Sequence, residues 1–113
     1  MNFTDYQREA KRTAKELNWH TALMHAGMGV SGEAGELNDA IKRHTIYGKT
    51  FDIENYCEEI GDLLWFCAYA ATVVDRSLEE IAEANINKLR VRFPDAYTDF
   101  HARARLDKIH ESD

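Results

Sequence analysis

Along most of the chain, apolar residues recur at intervals of three and four, the period of an α-helix rather than the alternation of a strand. The first such stretch runs from about Thr4 to Leu17, with Thr4 and Gln7 as a capping-box pair ahead of a Tyr6, Ala10, Ala14, Leu17 stripe. The second runs from about Thr21 to Thr45 and carries Leu23, Gly27, Val30, Ala34, Leu37 and Ile41 on one face. Residues Ile46 to Thr50 read as a loop, with Gly48 as its flexible point. A third helix opens with Asp52 as N-cap and runs to about Asp75, its inward stripe being Ile53, Cys57, Ile60, Leu64, Cys67, Ala71 and Val74. From Leu63 onward it is apolar on nearly every side, the pattern of a helix surrounded by protein. Phe66 and Tyr69 fall opposite Ile60, Leu64 and Cys67, which predicts that a partner chain covers them. A fourth helix begins at Ser77, where Glu80 completes a second capping box, and stops before Pro94. Beyond it, the Arg-rich segment from Tyr97 to His110 predicts a short tail helix. With no strand pair and no linker in the pattern, the predicted fold is all-α.

Composition narrows the class further. A chain of 113 residues is one domain's worth, so residues 1–113 are expected to form a single domain. Charged residues at 30% and hydrophobic ones at 44% are an ordinary globular balance, against disorder. The longest apolar stretch, Leu63 to Val74, is interrupted by Thr72 and is shorter than the about 20 residues a bilayer requires. The polar, acidic N-terminus does not read as a signal peptide. Cys57 and Cys67 fit a reduced, cytoplasmic protein; on one helix, ten residues at ~1.5 Å each hold them too far apart for a disulfide. A net charge of −6 argues against binding a nucleic-acid polymer, whose phosphates are met by basic patches. It is compatible with a small phosphorylated molecule when divalent cations stand between the two.

Two motifs suggest chemistry, and one misleads. Gly27-Met28-Gly29-Val30-Ser31-Gly32 matches G-x-G-x-x-G, with Asp52 at the expected distance downstream. A dinucleotide site needs a strand before that motif, whereas Trp19 to Ala26 are helical in pattern. Gly29, Gly32 and Gly35 read instead as small residues that let another helix or a ligand come close. The informative feature is a repeated pentapeptide: Glu33-Ala34-Gly35-Glu36-Leu37 on the second helix and Glu59-Ile60-Gly61-Asp62-Leu63 on the third. At i and i+3 the two acids of each share a face, so packing the two stripes together gathers four carboxylates on one rim. Gathered like charges repel, and bound cations are the usual resolution. Oxygen ligands without histidine or cysteine select a hard ion, Mg²⁺ or Mn²⁺, and the Glu-x-x-His of di-iron bundles does not occur in the chain. Each pentapeptide also keeps a mid-helix glycine, at a cost of about 1 kcal/mol relative to alanine, as though a side chain were unwanted there. On the fourth helix Asn85, Lys88 and Arg92 form a polar stripe suited to phosphate oxygens, or simply to the helix C-terminal dipole.

Gly32-Glu33-Ala34-Gly35-Glu36-Leu37, then Glu58-Glu59-Ile60-Gly61-Asp62-Leu63-Leu64, then Asn87-Lys88-Leu89 with Arg92-Phe93-Pro94, resemble the all-α nucleoside triphosphate pyrophosphohydrolases of the MazG type. That superfamily also holds dimeric dUTPases, dCTP pyrophosphatases and phosphoribosyl-ATP pyrophosphatases. The likeness covers roughly Trp19 to Pro94 and leaves the tail outside. It implies a four-helix bundle assembled as a homodimer or homotetramer, with Mg²⁺ (or Mn²⁺) held by Glu33, Glu36, Glu59 and Asp62. It implies cleavage of a nucleotide between its α and β phosphates, in a house-cleaning role, with Lys88, Arg92 and Asn85 on the phosphates. Many members carry a glutamate as general base where this chain has Gly32, which leaves Glu36, Glu58 or the metal alone to align the water. Trp19, His20, Met24 and Trp65 are the candidates for holding the base, since related enzymes stack it on aromatics near the first helix. The alternatives to an enzyme of (d)NTP pools are phosphoribosyl-ATP hydrolysis and a non-catalytic helical dimerisation module that kept the metal site.

Overall fold

The computed structural model describes residues 1–108, and among them every regular α or β element is an α-helix: α1 (Phe3–Lys11), α2 (Trp19–Thr45), α3 (Ile53–Val73), α4 (Leu78–Arg92) and α5 (Asp99–Ala104). The chain packs as two units, Met1–Leu78 and the segment from Glu79 onward. No helix among the described residues is long and apolar enough to cross a membrane.

In the first unit α3 is central. Tyr6 and Ala10 of α1, with Leu64 of α3 itself, pack on the buried Ala68, Ala71 and Leu78, while Ala22 and Ala26 of α2 meet the buried Tyr69. The apolar character of α3 on all sides is thus satisfied largely within the chain. This corrects the expectation for Phe66 and Tyr69: Tyr69 is only 8% exposed, and Phe66 lies against Gly29. The face of α2 that meets α3 runs through Ala22, Ala26, Gly29 and Glu33, beside the stripe that periodicity singled out. Leu23 and Ile41 of that stripe stay exposed, as do Ile53 and Ile60 of the expected α3 stripe. Alanine and glycine line the α2 side of the contact, and their small size leaves room for the Phe66 and Tyr69 rings of α3. A Cβ on Gly29 would run into the Phe66 ring, whereas one on Gly32, Gly35 or Gly61 would meet nothing within 4 Å. Only Gly29 carries the close approach.

Capping explains most boundaries. Asn18 and Asp52 accept the backbone N–H of Thr21 and Asn55, starting α2 and α3. Asn2, not Thr4, caps α1 by accepting Asp5 N–H. Gln7, expected in a capping box, is instead used across the fold: its amide donates to Thr72 Oγ1 and Arg76 O, and its Oε1 accepts Leu78 N–H. It thereby ties the α3–α4 turn to α1 and satisfies a donor at the start of α4. At that turn Asp75 takes the left-handed conformation (φ 57°), and the Arg76 and Asp75 N–H groups return to Ala71 O and Thr72 O. The first helix ends at Lys11 rather than near Leu17. Thr13 Oγ1 donates to Ala10 O and accepts Trp65 Nε1–H, and Ala14 and Leu17 reach the core from an irregular connection. Gly48 closes α2 with φ 67°, as its place in the loop suggested.

The G-x-G-x-x-G run lies in the middle of α2, so no strand leads into it. In the second unit, Arg92 at the end of α4 is held by Asp107 through two hydrogen bonds of 2.8 and 3.0 Å. The expected tail helix, Tyr97 to His110, is realised as α5 with Thr98 as its cap, ended by Arg105 at φ 49°. His110 lies outside the described residues.

Candidate metal centre

The antiparallel register of α2 on α3 builds the site. With Ala26 beside Tyr69 and Gly29 beside Phe66, the next turn of α2 sets Glu33 opposite Asp62. Glu59 lies one turn before Asp62 on the same face of α3. One carboxylate oxygen each from Glu33, Glu59 and Asp62 lie within 4.8 Å of one another. Glu33 and Glu59 are half-buried and Asp62 is exposed. Partial burial, and after it the negative charges of Asp62, Glu59 and Glu36, raise the Glu33 carboxyl above its ordinary pKa. Glu36 therefore acts electrostatically on the cluster, but it is exposed and outside the group of three. Its side chain reaches solvent, where its charge is screened. Glu58 is exposed on α3, away from the Glu59–Asp62 face by one residue's rotation, and Gly32 leaves open space where a side chain would stand.

Three carboxylates converge without histidine, cysteine or a cation inside the group. That donor set fits a hard divalent cation, and the upward shift at Glu33 is what an uncompensated oxygen cage produces.

Residues 22–97 match the model of the MazG nucleotide pyrophosphohydrolase domain. The chain belongs to this family. Among similar proteins is the Gene 37 protein of Mycobacterium phage L5, 32% identical over 75 residues that make up 62% of this chain and 65% of the phage protein. The chain thus spans just under two-thirds of that relative's length. No solved structure matches it significantly.

The other expected site residues of this MazG domain lie on α2, α3 and α4. Asn85 and Lys88 are exposed on α4. Arg92 is engaged by Asp107, whose carboxylate is only 4% exposed, and the guanidinium holds that carboxyl below the usual carboxylate range. The four base-binding candidates do not form one group. Trp19 meets His20 edge-on at 5.0 Å, and its indole donates to Val73 O at the end of α3. Met24 is exposed. Trp65 stacks on Tyr69 at 5.4 Å as part of the core between the helices. Periodicity did not single out His25, whose ring stands edge-on to both Phe66 and Tyr69, about two turns of α2 from Glu33.

Asn55 also escaped the sequence patterns. Its Oδ1 accepts Arg43 Nη2 at 2.6 Å, and its Nδ2 donates to Glu59 Oε1 at 3.4 Å. The i, i+4 spacing to Glu59 is the one signal the sequence carries for it.

Proposed function

We propose that this MazG domain is a divalent-cation-dependent nucleotide pyrophosphohydrolase acting on nucleoside triphosphates, releasing the monophosphate and pyrophosphate. The convergence of Glu33, Glu59 and Asp62 from two helices carries this reading, and family membership supports it. In it the three carboxylates hold Mg²⁺, with Mn²⁺ able to substitute. A cation bound there supplies neutralisation of phosphate oxygens and a water of lowered pKa. Glu36, one turn from Glu33 and facing solvent, is the carboxylate proposed to orient that water, since Gly32 offers no side chain and Glu58 points elsewhere. Asn85 and Lys88 keep their phosphate-binding roles by resemblance. Arg92 is engaged by Asp107 and is left out of that assignment. The base is assigned to the aromatic side of the α2–α3 contact.

The unit is proposed to work as a homodimer or larger, because Leu23 and Ile41 of α2 and Ile53 and Ile60 of α3 are exposed apolar side chains. The test is an assay of released pyrophosphate over a panel of nucleotides, phosphoribosyl-ATP included. Activity with Mg²⁺ and its loss in EDTA are expected. Orthophosphate as first product, or turnover in excess EDTA, overturns the mechanism.

A further inference from the structure

Three carboxylates that repel one another do not hold a common orientation unless something outside the group fixes them. On this chain that something is visible at Glu59. Asn55 lies one turn before it on α3 and is itself half-buried. The guanidinium of Arg43, in the last turn of α2, has only donors, so the oxygen of the Asn55 amide must face it across 2.6 Å. That choice turns the amide NH₂ toward Glu59, whose ionised carboxylate has only acceptors, at 3.4 Å. One amide orientation satisfies both neighbours, and the reverse satisfies neither. The backbone of Asn55 is fixed as well, through its N–H to Asp52 Oδ1 at 3.0 Å.

We infer that Asn55, locked by Arg43, is a positioning residue for Glu59: it holds Oε1 and leaves the other carboxylate oxygen to the cation. The inference rests on the divalent-cation reading of the site given above. A relay suits the task better than a direct ion pair. Arg43 placed on Glu59 itself would occupy both oxygens in a fork and neutralise the ligand. Through the amide it passes on orientation and a little polarisation, and the negative charge stays available. Partners of this kind, one shell out from a metal, typically change metal affinity by about 10–100-fold when removed.

The experiment is Mn²⁺ binding to the full chain, followed by electron paramagnetic resonance of the free ion, with the melting temperature in EDTA measured in parallel. Asn55→Leu, which keeps the branching at Cγ and removes both side-chain hydrogen bonds, is expected to weaken Mn²⁺ binding about tenfold or more. Arg43→Ala is expected to weaken it several-fold, and Arg43→Lys, still a donor, to recover part of that loss. In the Asn55→Leu background Arg43→Ala should have no further effect, because its route to Glu59 is already cut. A merely structural Asn55 would lower the melting temperature in EDTA and leave the affinity of the folded protein unchanged, which overturns the inference. So do additive losses from the two sites, or wild-type affinity in Arg43→Ala. If Asn55→Leu does not fold, the Arg43 pair alone decides, since Arg43 is exposed. Wild-type protein that binds no Mn²⁺ removes the cation reading, and the relay with it; wild-type binding with indifferent variants removes the relay alone.

Discussion

At the scale of single residues the informative group is Glu33, because its shift is a statement about the whole cluster. Its carboxyl is raised from the ordinary 4.5, so the folded chain binds that proton more tightly than the unfolded chain does. The stability this contributes is full below about pH 4.5 and is lost as pH rises through the raised value. In EDTA, Glu33→Gln should therefore match wild type most closely near pH 4 and become progressively the more stable protein toward neutral pH. Calorimetric melting temperatures at several pH values check this, and a constant difference from pH 4 to 8 would rule it out. With saturating Mg²⁺ the order should reverse, since a cation stabilises only the form that binds it. Asp107 behaves with the opposite sign. Its lowered pKa, set first by the hydrogen bonds from Arg92, adds stability that is full above the ordinary 3.8 and is lost as pH falls through the lowered value.

At the scale of elements, the contact between α2 and α3 depends on one missing side chain. Gly29→Ala should gain about 1 kcal/mol of helix propensity yet lose about 1–3 kcal/mol through overpacking against the Phe66 ring. That ring packs edge-on against His25, Trp65 and Tyr69, so displacing it disturbs those contacts as well. The expected outcome is a fall in melting temperature of several degrees, with Gly27→Ala, which meets nothing, unchanged or slightly more stable. Equal behaviour of the two variants would contradict the assigned packing. The α3–α4 turn has a comparable single point of support. Gln7→Leu deletes three hydrogen bonds there and strips Leu78 N–H of its acceptor, which should cost roughly 1–3 kcal/mol. Urea unfolding is the measurement: the midpoint should drop with the slope unchanged.

At the scale of the whole molecule, the core is thin. Among the described residues the buried hydrophobic ones are five alanines, one tyrosine and one leucine, while Leu23, Met24, Met28, Ile53 and Ile60 of α2 and α3 remain exposed. A monomer with so much open apolar surface invites a second copy. Light scattering of the active protein should give at least twice the 13.0 kDa of one chain. An active species of one chain's mass at micromolar concentration would refute it. The surface concerned differs from the one that periodicity suggested, because Phe66 and Tyr69 turned out to face α2.

Much was legible in the chain alone, where the physics is local. Helical period and caps set the all-α class and the limits of α2, α3 and α4 to within a few residues, since these depend on neighbours three or four positions away. The duplicated acid-x-Gly-acid-Leu marked the helix turns from which three of its four carboxylates come together, because spacing on one helix is a local fact. Which face of each helix turns inward was not local. The register between α2 and α3 follows from packing across the two helices, with the Phe66 ring seated on Gly29, and it carried Glu33, Glu59 and Asp62 together while leaving Glu36 at the edge. The early end of α1, the use of Gln7 across the α3–α4 turn, and the Arg43–Asn55–Glu59 contact likewise join residues far apart in sequence or on different elements. Hydrogen-bond geometry between elements is set only once the elements have packed, and no periodicity along the chain encodes it.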